Sequence, residues 1–214
     1  MAYDGAGPMT DAAILANLSD LTRSSLDAVS AITNSAKSAV AALVTDNGRI
    51  SARLIDQHQT AAHGLAWLAT YNEALQQMQA WADRLTANDR FTEVEALILQ
   101  IAFGEYLSQI AGGIQMNQTE VVRAADLGLT AADLAPLNAP APTVLMARGN
   151  TQAARTQLAQ LMQDRAAELT VGASGLDDEL EMIRDQFRRF SREKVEPFAH
   201  DWHLKDELIP MEII

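Results

Sequence analysis

The sequence predicts an all-α protein in which an up-and-down helical bundle is followed by the start of a second helical domain. Three observations favour this fold class. Apolar residues recur at spacings of three and four over long segments, which is the period of an amphipathic helix. The alternation of apolar and polar residues that is typical of strands is nearly absent. Short polar loops separate the long helical segments, and such loops predict antiparallel neighbours.

The first two predicted helices are long. Thr10 or Asp11 can cap the first, and serines near its middle allow a break there. It ends before the turn signal Asp46-Asn47-Gly48. The second helix runs from about residue 50 to residue 85. Gly64 lies inside it at a cost of about 1 kcal/mol against alanine, so this glycine either allows close helix packing or is a tolerated flaw.

The third and fourth predicted helices have clearer boundaries. Thr92 and Glu95 match a capping box, so the third helix begins there, and Gly112-Gly113 ends it. Asn117 can cap a fourth, shorter helix that ends before Gly128. These elements complete a helical module that extends to about residue 134.

Two segments of the chain have the composition of linkers. Residues 135–142, APLNAPAP, contain three prolines and predict a stiff, extended connection. A further helix is expected from about residue 151 to residue 169, followed by a flexible hinge at residues 172–175. The predicted organisation is therefore a bundle over residues 1–134, a linker with a tether helix over 135–175, and the start of another domain over 176–214.

The stretch from residue 177 to residue 214 carries the strongest pattern. Its first half is an amphipathic helix that Asp177 or Asp178 can cap. Its apolar face consists of Leu180, Ile183, Phe187 and Phe190. Pro197 ends this helix, and a second short helical piece with Phe198, Ala199 and Trp202 follows. Pro210 then suits the first turn of a helix of which only about one turn is present, so we expect the 214 residues to be the front part of a longer protein.

The order of these features resembles the start of the acyl-CoA dehydrogenase family, in which an Arg-Arg-Phe helix core precedes a Val-x-Pro break, an aspartate and a further proline. The matching residues are Arg188-Arg189-Phe190, Val195-Glu196-Pro197, Asp201 and Ile209-Pro210. The alternative is an ordinary surface helix followed by a proline-bounded loop.

A second stretch is similar to the closing bundle of the same family, where a helix ends in Gln-x-x-Gly-Gly near a flavin nucleotide. The counterparts are Gln109, Gly112-Gly113, Glu120 and Arg123. The chain departs from that pattern at Met116, which replaces an aromatic residue, and at Asp126, which is the only acidic partner after Arg123. We therefore interpret the glycine pair as a helix C-terminus and transfer no flavin contact to it.

The resemblance implies an FAD-dependent dehydrogenase that oxidises a short branched acyl-CoA, such as a dicarboxylic thioester, to the enoyl-CoA. It also implies electron-transfer flavoprotein as a partner and a homo-oligomer, either a dimer or a tetramer. In this family the flavin and the glutamate base are held by later domains, so we expect no catalytic, cofactor-binding or metal-binding residue in this chain. The alternatives are a non-catalytic helical oligomerisation or interaction module and a regulatory tail of another flavoprotein.

Composition excludes several other classes of function. The net charge of −12 argues against binding to nucleic acid or to an anionic membrane. The chain has no cysteine, no signal-peptide pattern and no apolar run of membrane-spanning length, so a cytoplasmic protein is expected. Two histidine pairs, His58 with His63 and His200 with His203, are candidate metal ligands. The first pair is spaced five residues apart on a helix, which does not place both side chains on one ligand face. For the second pair, near Asp201 and Asp206, a hydrated turn is the preferred interpretation.

Overall fold

The computed structural model describes residues 13–165, 171–211, 213 and 214. It confirms the all-α class, because the strands in these residues form only two short two-stranded hairpins. The chain divides into a larger unit up to Ala173 and a smaller one from Ser174. The predicted cap at Thr10 or Asp11, the end of the predicted tether helix at Leu169 and residue 212 lie outside the described residues.

Helix α1 spans Leu18–Val44 without interruption, so the break allowed by its serines is absent. The hydroxyl of Thr22 donates to the carbonyl of Leu18 at 3.0 Å, and that of Ser25 donates to the carbonyl of Leu21 at 2.7 Å. Both hydroxyls are thus satisfied inside the helix, which lets their residues be buried. The rest of the buried face is aliphatic: Val29, Ile32, Ala36, Val40 and Val44.

A hairpin and a helix break follow α1. Strands β1 (Thr45–Asp46) and β2 (Arg49–Ile50) pair around Asn47 and Gly48, whose φ angles of 49° and 76° fit the predicted turn. The predicted second helix is divided at His58 (φ −115°, ψ 35°) into α2 (Ala52–Gln57) and α3 (Gln59–Ala87). The serine before α2, Ser51, caps it and thereby starts a separate short helix.

Helix α4 spans Glu93–Gly112 and begins at the predicted capping box of Thr92 and Glu95. It packs against α3 and against α5 (Pro140–Arg148), a helix that the sequence did not predict. It also packs against α6 (Gln152–Asp164), whose start confirms the helix predicted from about residue 151. Because it has neighbours on several sides, α4 buries residues on most of its surface. These include Leu97, Leu99, Phe103 and Leu107, together with the polar Glu95 and Gln100.

The prediction of a fourth helix between Asn117 and Gly128 is wrong. Strands β3 (Ile114–Gln115) and β4 (Val121–Val122) form a hairpin there, followed by a 3₁₀ turn at Ala124–Leu127. The side-chain oxygen of Asn117 does accept from backbone N–H groups, those of Thr119 and Glu120 at 2.8 and 2.9 Å. Asn side chains can accept hydrogen bonds from backbone N–H groups in a turn as well as at the start of a helix. Here Asn117 stabilises the hairpin loop.

The prediction of an extended linker at residues 135–142 is also wrong. A 3₁₀ turn at Ala135–Asn138 leads directly into α5, with Pro140 in the first helical turn. Proline is tolerated at that position because its missing N–H has no partner there anyway. Leu137 and Leu145 are buried, and α5 packs on α1 and α4. Residues 135–165 therefore belong to the larger unit.

The smaller unit consists of α7 (Asp178–Phe190), a π-helical turn (Ser191–Val195) and α8 (Glu196–Leu204). Beyond α8, the N–H of Ile213 donates to the carbonyl of Pro210 at 2.9 Å and closes a single turn. No helix among the described residues is long and apolar enough to cross a membrane.

Candidate functional site

Helix α7 is fixed locally by its cap and its charge pairs. The carboxylate of Asp177 accepts from the N–H of Leu180 at 2.9 Å, which confirms one of the two predicted caps. Arg184 pairs with Glu181, and Asp185 lies 3.8 Å from Arg188. Acidic residues in the first turn and basic ones in the last turn also match the helix dipole. These interactions leave the other side of the helix to apolar side chains.

A π-helical turn joins α7 to α8 just before Pro197. The sequence predicts a break at this proline, and the structure instead widens the helix over Ser191–Val195 so that Pro197 lies in the first turn of α8. Proline has no N–H to donate to the preceding turn, so a change in hydrogen-bond register there avoids an unpaired carbonyl. The chain therefore continues helically from α7 into α8, and both helices carry exposed apolar side chains.

These exposed apolar side chains, which we call the α7–α8 face, form the candidate functional site. Phe187 is 70% exposed, and Leu208 just beyond α8 is 92% exposed. The rings of Phe198 and Trp202 stack with their centroids 5.9 Å apart. An open cleft is lined by Gln186, Phe187, Phe190, Ile213 and Ile214. The other exposed members are Leu180, Met182, Ile183, Leu204, Ile209 and Met211. Large apolar side chains exposed in this number are typical of a surface that packs against another part of a protein.

The histidine pairs show no converging ligands. His200 and His203 are both exposed on α8, and the described residues contain no group of three or more side chains that could hold a metal ion. His63 instead accepts a hydrogen bond at its Nε2 from Trp67 Nε1, at 3.1 Å. His58 lies at the break between α2 and α3. The absence of metal ligands from this chain stays a prediction.

The Gly112-Gly113 turn has an internal explanation. Gly113 adopts φ 133°, which favours glycine, and a Cβ added to it would come within 2.6 Å of Val121 Cγ1. Strand β4 of the same chain thus fills the space over this turn. Gln109 is likewise occupied, because its Oε1 accepts from the hydroxyl of Tyr71 at 2.5 Å. These contacts within the chain account for the residues of this turn, and the absence of cofactor-binding residues stays a prediction.

Three side chains around Gln109 form a hydrogen-bonded network between helices. Gln109 donates to Glu105 at 2.7 Å, and Asn150 donates to the other oxygen of Glu105 at 2.8 Å. These two bonds hold the pKa of Glu105 below its usual value, against a smaller opposing effect of desolvation. Burial raises the pKa of Tyr71, helped by Tyr106 and Glu105. The network joins α3, α4 and the turn before α6, so its role is structural.

Glu95 is the most buried carboxylate described, at 1% exposure. One oxygen accepts from the N–H of Thr92 at 2.9 Å, and the other accepts from the N–H of Ala173 at 2.7 Å. Burial by itself raises the pKa of Glu95, but the hydrogen bonds from Thr92 and Ala173 outweigh it, so the pKa lies below its usual value. The capping box was visible in the sequence, whereas the contact with Ala173, 78 positions away, had no local signal.

Comparison with known proteins gives one strong match. No protein-family model matches the chain. The (2S)-methylsuccinyl-CoA dehydrogenase of Cereibacter sphaeroides is 53% identical to it over 208 residues, which are 96% of this chain and 37% of that enzyme. The chain thus spans little more than a third of the length of the relative. The match confirms the resemblance that the residue pattern predicted: over nearly all of its length, the chain is similar to a part of a (2S)-methylsuccinyl-CoA dehydrogenase.

Proposed function

We propose that this chain is part of an FAD-dependent acyl-CoA dehydrogenase that oxidises (2S)-methylsuccinyl-CoA, or a related short branched acyl-CoA, to the enoyl-CoA. The observation that carries the proposal is the 53% identity over 208 residues. The protein would work in the cytoplasm as a homo-oligomer and pass electrons to electron-transfer flavoprotein. Among its possible functions, this one also accounts for the Arg-Arg-Phe and Val-x-Pro pattern at residues 188–197.

Within that enzyme, the chain contributes architecture and no reacting group. Two carboxylates whose pKa values are lowered, those of Glu95 and Glu105, support this role. Glu95 accepts hydrogen bonds from Thr92 and Ala173, and Glu105 accepts them from Gln109 and Asn150. A lowered pKa makes a carboxylate a weaker base, so neither group is well suited to take a proton from a substrate. The glutamate base and the flavin are therefore assigned to the rest of the dehydrogenase.

The α7–α8 face is the surface that would pack against the rest of the dehydrogenase. Phe187, Leu204 and Leu208 are each more than half exposed, which is costly for large apolar side chains in water. Arg188 and Asp185, on the other side of α7, would stay at the surface. The amphipathic pattern of α7 thus fits a helix at the boundary of a larger core.

The main alternative is a non-catalytic module that uses the same face for self-assembly. The division of the chain into two units favours this alternative, because an exposed apolar unit beside a separate core resembles an oligomerisation element. The alternative predicts a stable oligomer of the 214-residue chain, whereas the dehydrogenase proposal predicts that the face is covered by further sequence.

The test compares the proposed longer protein, of which this chain would be a part, with the 214-residue chain by itself. We expect the longer protein to carry bound flavin and to reduce an artificial electron acceptor with (2S)-methylsuccinyl-CoA, and to act much more slowly on an unbranched CoA thioester. The 214-residue chain is expected to be colourless and inactive. A longer protein without flavin absorbance, or with flavin but no activity on any short branched acyl-CoA, would contradict the proposal.

A further inference from the structure

The segment just before the smaller unit is held on the bundle through the N–H and the carbonyl of Ala173. The N–H of Ala173 donates to Glu95 Oε1 at 2.7 Å, and its carbonyl accepts from Trp81 Nε1 at 2.8 Å. Glu95 comes from the first turn of α4 and Trp81 from α3, so two helices contribute one partner each. These two bonds concern Ala173 alone, and the flexible hinge at residues 172–175 stays a prediction.

Gly172 is required by the same arrangement. Its φ of +83° favours glycine, and a Cβ added to it would lie 3.2 Å from Glu95 Oε1 and 3.5 Å from Ile98 Cδ1. The positive φ and the close approach to α4 thus both favour glycine at this position. Trp81 in turn contacts Phe91 edge to face, with ring centroids 6.4 Å apart, which fixes the position of its indole N–H.

We propose that Glu95 and Trp81 form a latch that binds the backbone at Gly172-Ala173, and that Glu95 therefore has two separable roles. One carboxylate oxygen caps α4 through Thr92, and the other holds the strap formed by residues 171–173. The latch recognises a residue preceded by glycine, through the N–H and the carbonyl of that residue, in the way that an edge strand is recognised by main-chain hydrogen bonds. This inference does not depend on the enzyme activity proposed above.

Glu95→Gln separates the two roles. Glutamine is accepted at this position of a capping box, so its single carbonyl oxygen can still accept from the Thr92 N–H. Its other atom is an NH₂ donor, which cannot accept from the Ala173 N–H. Trp81→Phe removes only the donor to the Ala173 carbonyl and keeps a ring beside Phe91. The two variants thus remove the two hydrogen bonds of Ala173 one at a time.

Amide hydrogen exchange of the full 214-residue chain, followed by NMR, measures the latch at the Ala173 N–H. We expect this amide to exchange roughly tenfold faster or more in Glu95→Gln, the effect of losing one hydrogen bond to a charged group. A smaller acceleration is expected in Trp81→Phe, with buried α4 amides such as Phe103 unchanged in both. Trp67→Phe is the matched control, because its indole bonds His63 elsewhere on α3.

Unprotected exchange of the Ala173 amide in the unmodified chain would overturn the proposal. An Ala173 rate that is unchanged in both Glu95→Gln and Trp81→Phe would overturn it as well. If Glu95→Gln unfolds the bundle, seen as faster exchange at Phe103, Trp81→Phe decides alone, since it leaves the α4 cap intact. Flavin binding and dehydrogenase activity do not enter this test, so its failure and the failure of the proposed function can be told apart.

Discussion

Gly104 and Gly149 lie against each other where α4 crosses the end of α5. A Cβ added to Gly104 would be 3.0 Å from the Cα of Gly149, 2.8 Å from the N of Asn150 and 2.9 Å from the carbonyl oxygen of Leu145. All three atoms belong to the backbone, so they cannot turn away as a side chain does. The close approach of the two helices, and with it the burial of Leu145, therefore depends on glycine at position 104.

Gly104→Ala is expected to destabilise the bundle by about 3 kcal/mol, although alanine is the better helix former. The reason is the contact with backbone atoms at 2.8–3.0 Å, which forces α5 away from α4. Chemical denaturation measures the free energy of unfolding. Gly112→Ala is the control, because an added Cβ there meets nothing within 4 Å. It should be neutral or stabilising by about 0.5 kcal/mol. Equal effects of the two variants would contradict the prediction.

Local signals in the sequence identified much of the fold. The turn at Asn47-Gly48, the capping box of Thr92 with Glu95 and the cap at Asp177 depend on residues at most three positions apart, and all were found. The period of three and four gave the helices because the same period places side chains on one face. Such signals need no knowledge of tertiary contacts.

The errors arose where one local signal fits two structures. Asn117 caps a hairpin loop as readily as a helix, and Pro140 suits a first helical turn as well as an extended linker. Burial decides between these outcomes, since Val122 and Leu145 are buried by distant residues. Two other contacts could not be predicted from local signals either, because neither pair has a spacing that a sequence pattern reveals. They join Ala173 with Glu95 and Gly104 with Gly149.

Gln100 is a second buried polar anchor. It is fully buried, its Oε1 accepts from the N–H of Leu15 at 2.7 Å, and its Nε2 donates to the carbonyls of Ala13 and Gly149 at 2.8 and 3.1 Å. Gln100→Leu keeps the approximate volume but leaves these backbone groups unsatisfied. We expect a loss of about 3 kcal/mol in the free energy of unfolding. The control, Gln77→Leu, lies at an exposed position and should change stability by less than about 0.5 kcal/mol.

Gly64 and Val122 are predicted to be energetically coupled. A Cβ added to Gly64 would be 2.6 Å from Val122 Cγ1, so Gly64→Ala should cost about 2 kcal/mol through overpacking. Val122→Ala removes the methyl groups that obstruct the new Cβ. A double-mutant cycle should therefore show the double variant to be more stable than the sum of the single effects by about 1 kcal/mol. Strict additivity would contradict direct contact between α3 and β4 at this point.

Acid should destabilise the chain through its paired carboxylates. The hydrogen bonds of Glu95 and Glu105 lower their pKa values in the folded state, despite the opposing effect of burial at Glu95. A depressed folded-state pKa contributes stability that is fully present above the unfolded-state value, about 4.3, and is lost as the pH falls through the folded-state value. Unfolding measured from pH 7 downward should show a decline that begins below about pH 4.5. Glu95→Gln should make this decline shallower, whereas Glu73→Gln at an exposed position should not.

The last prediction concerns Phe187 on the α7–α8 face. In the 214-residue chain this ring is 70% exposed, so Phe187→Ser should change the free energy of unfolding by less than about 0.5 kcal/mol. It should also lower the binding of a dye that reports apolar surface. If the chain is part of the proposed longer dehydrogenase, the same ring is covered there, and the same substitution should cost about 3 kcal/mol.

The contrast between the two proteins is the measurement that tests the role of this face. Arg189→Gln, an exposed position two residues further along α7, is the control and should be nearly neutral in both. Phe187→Ser with an equally small effect in the longer protein would mean that the α7–α8 face stays exposed there. Light scattering would then measure the oligomeric state of the 214-residue chain. An oligomer would favour the self-assembly module.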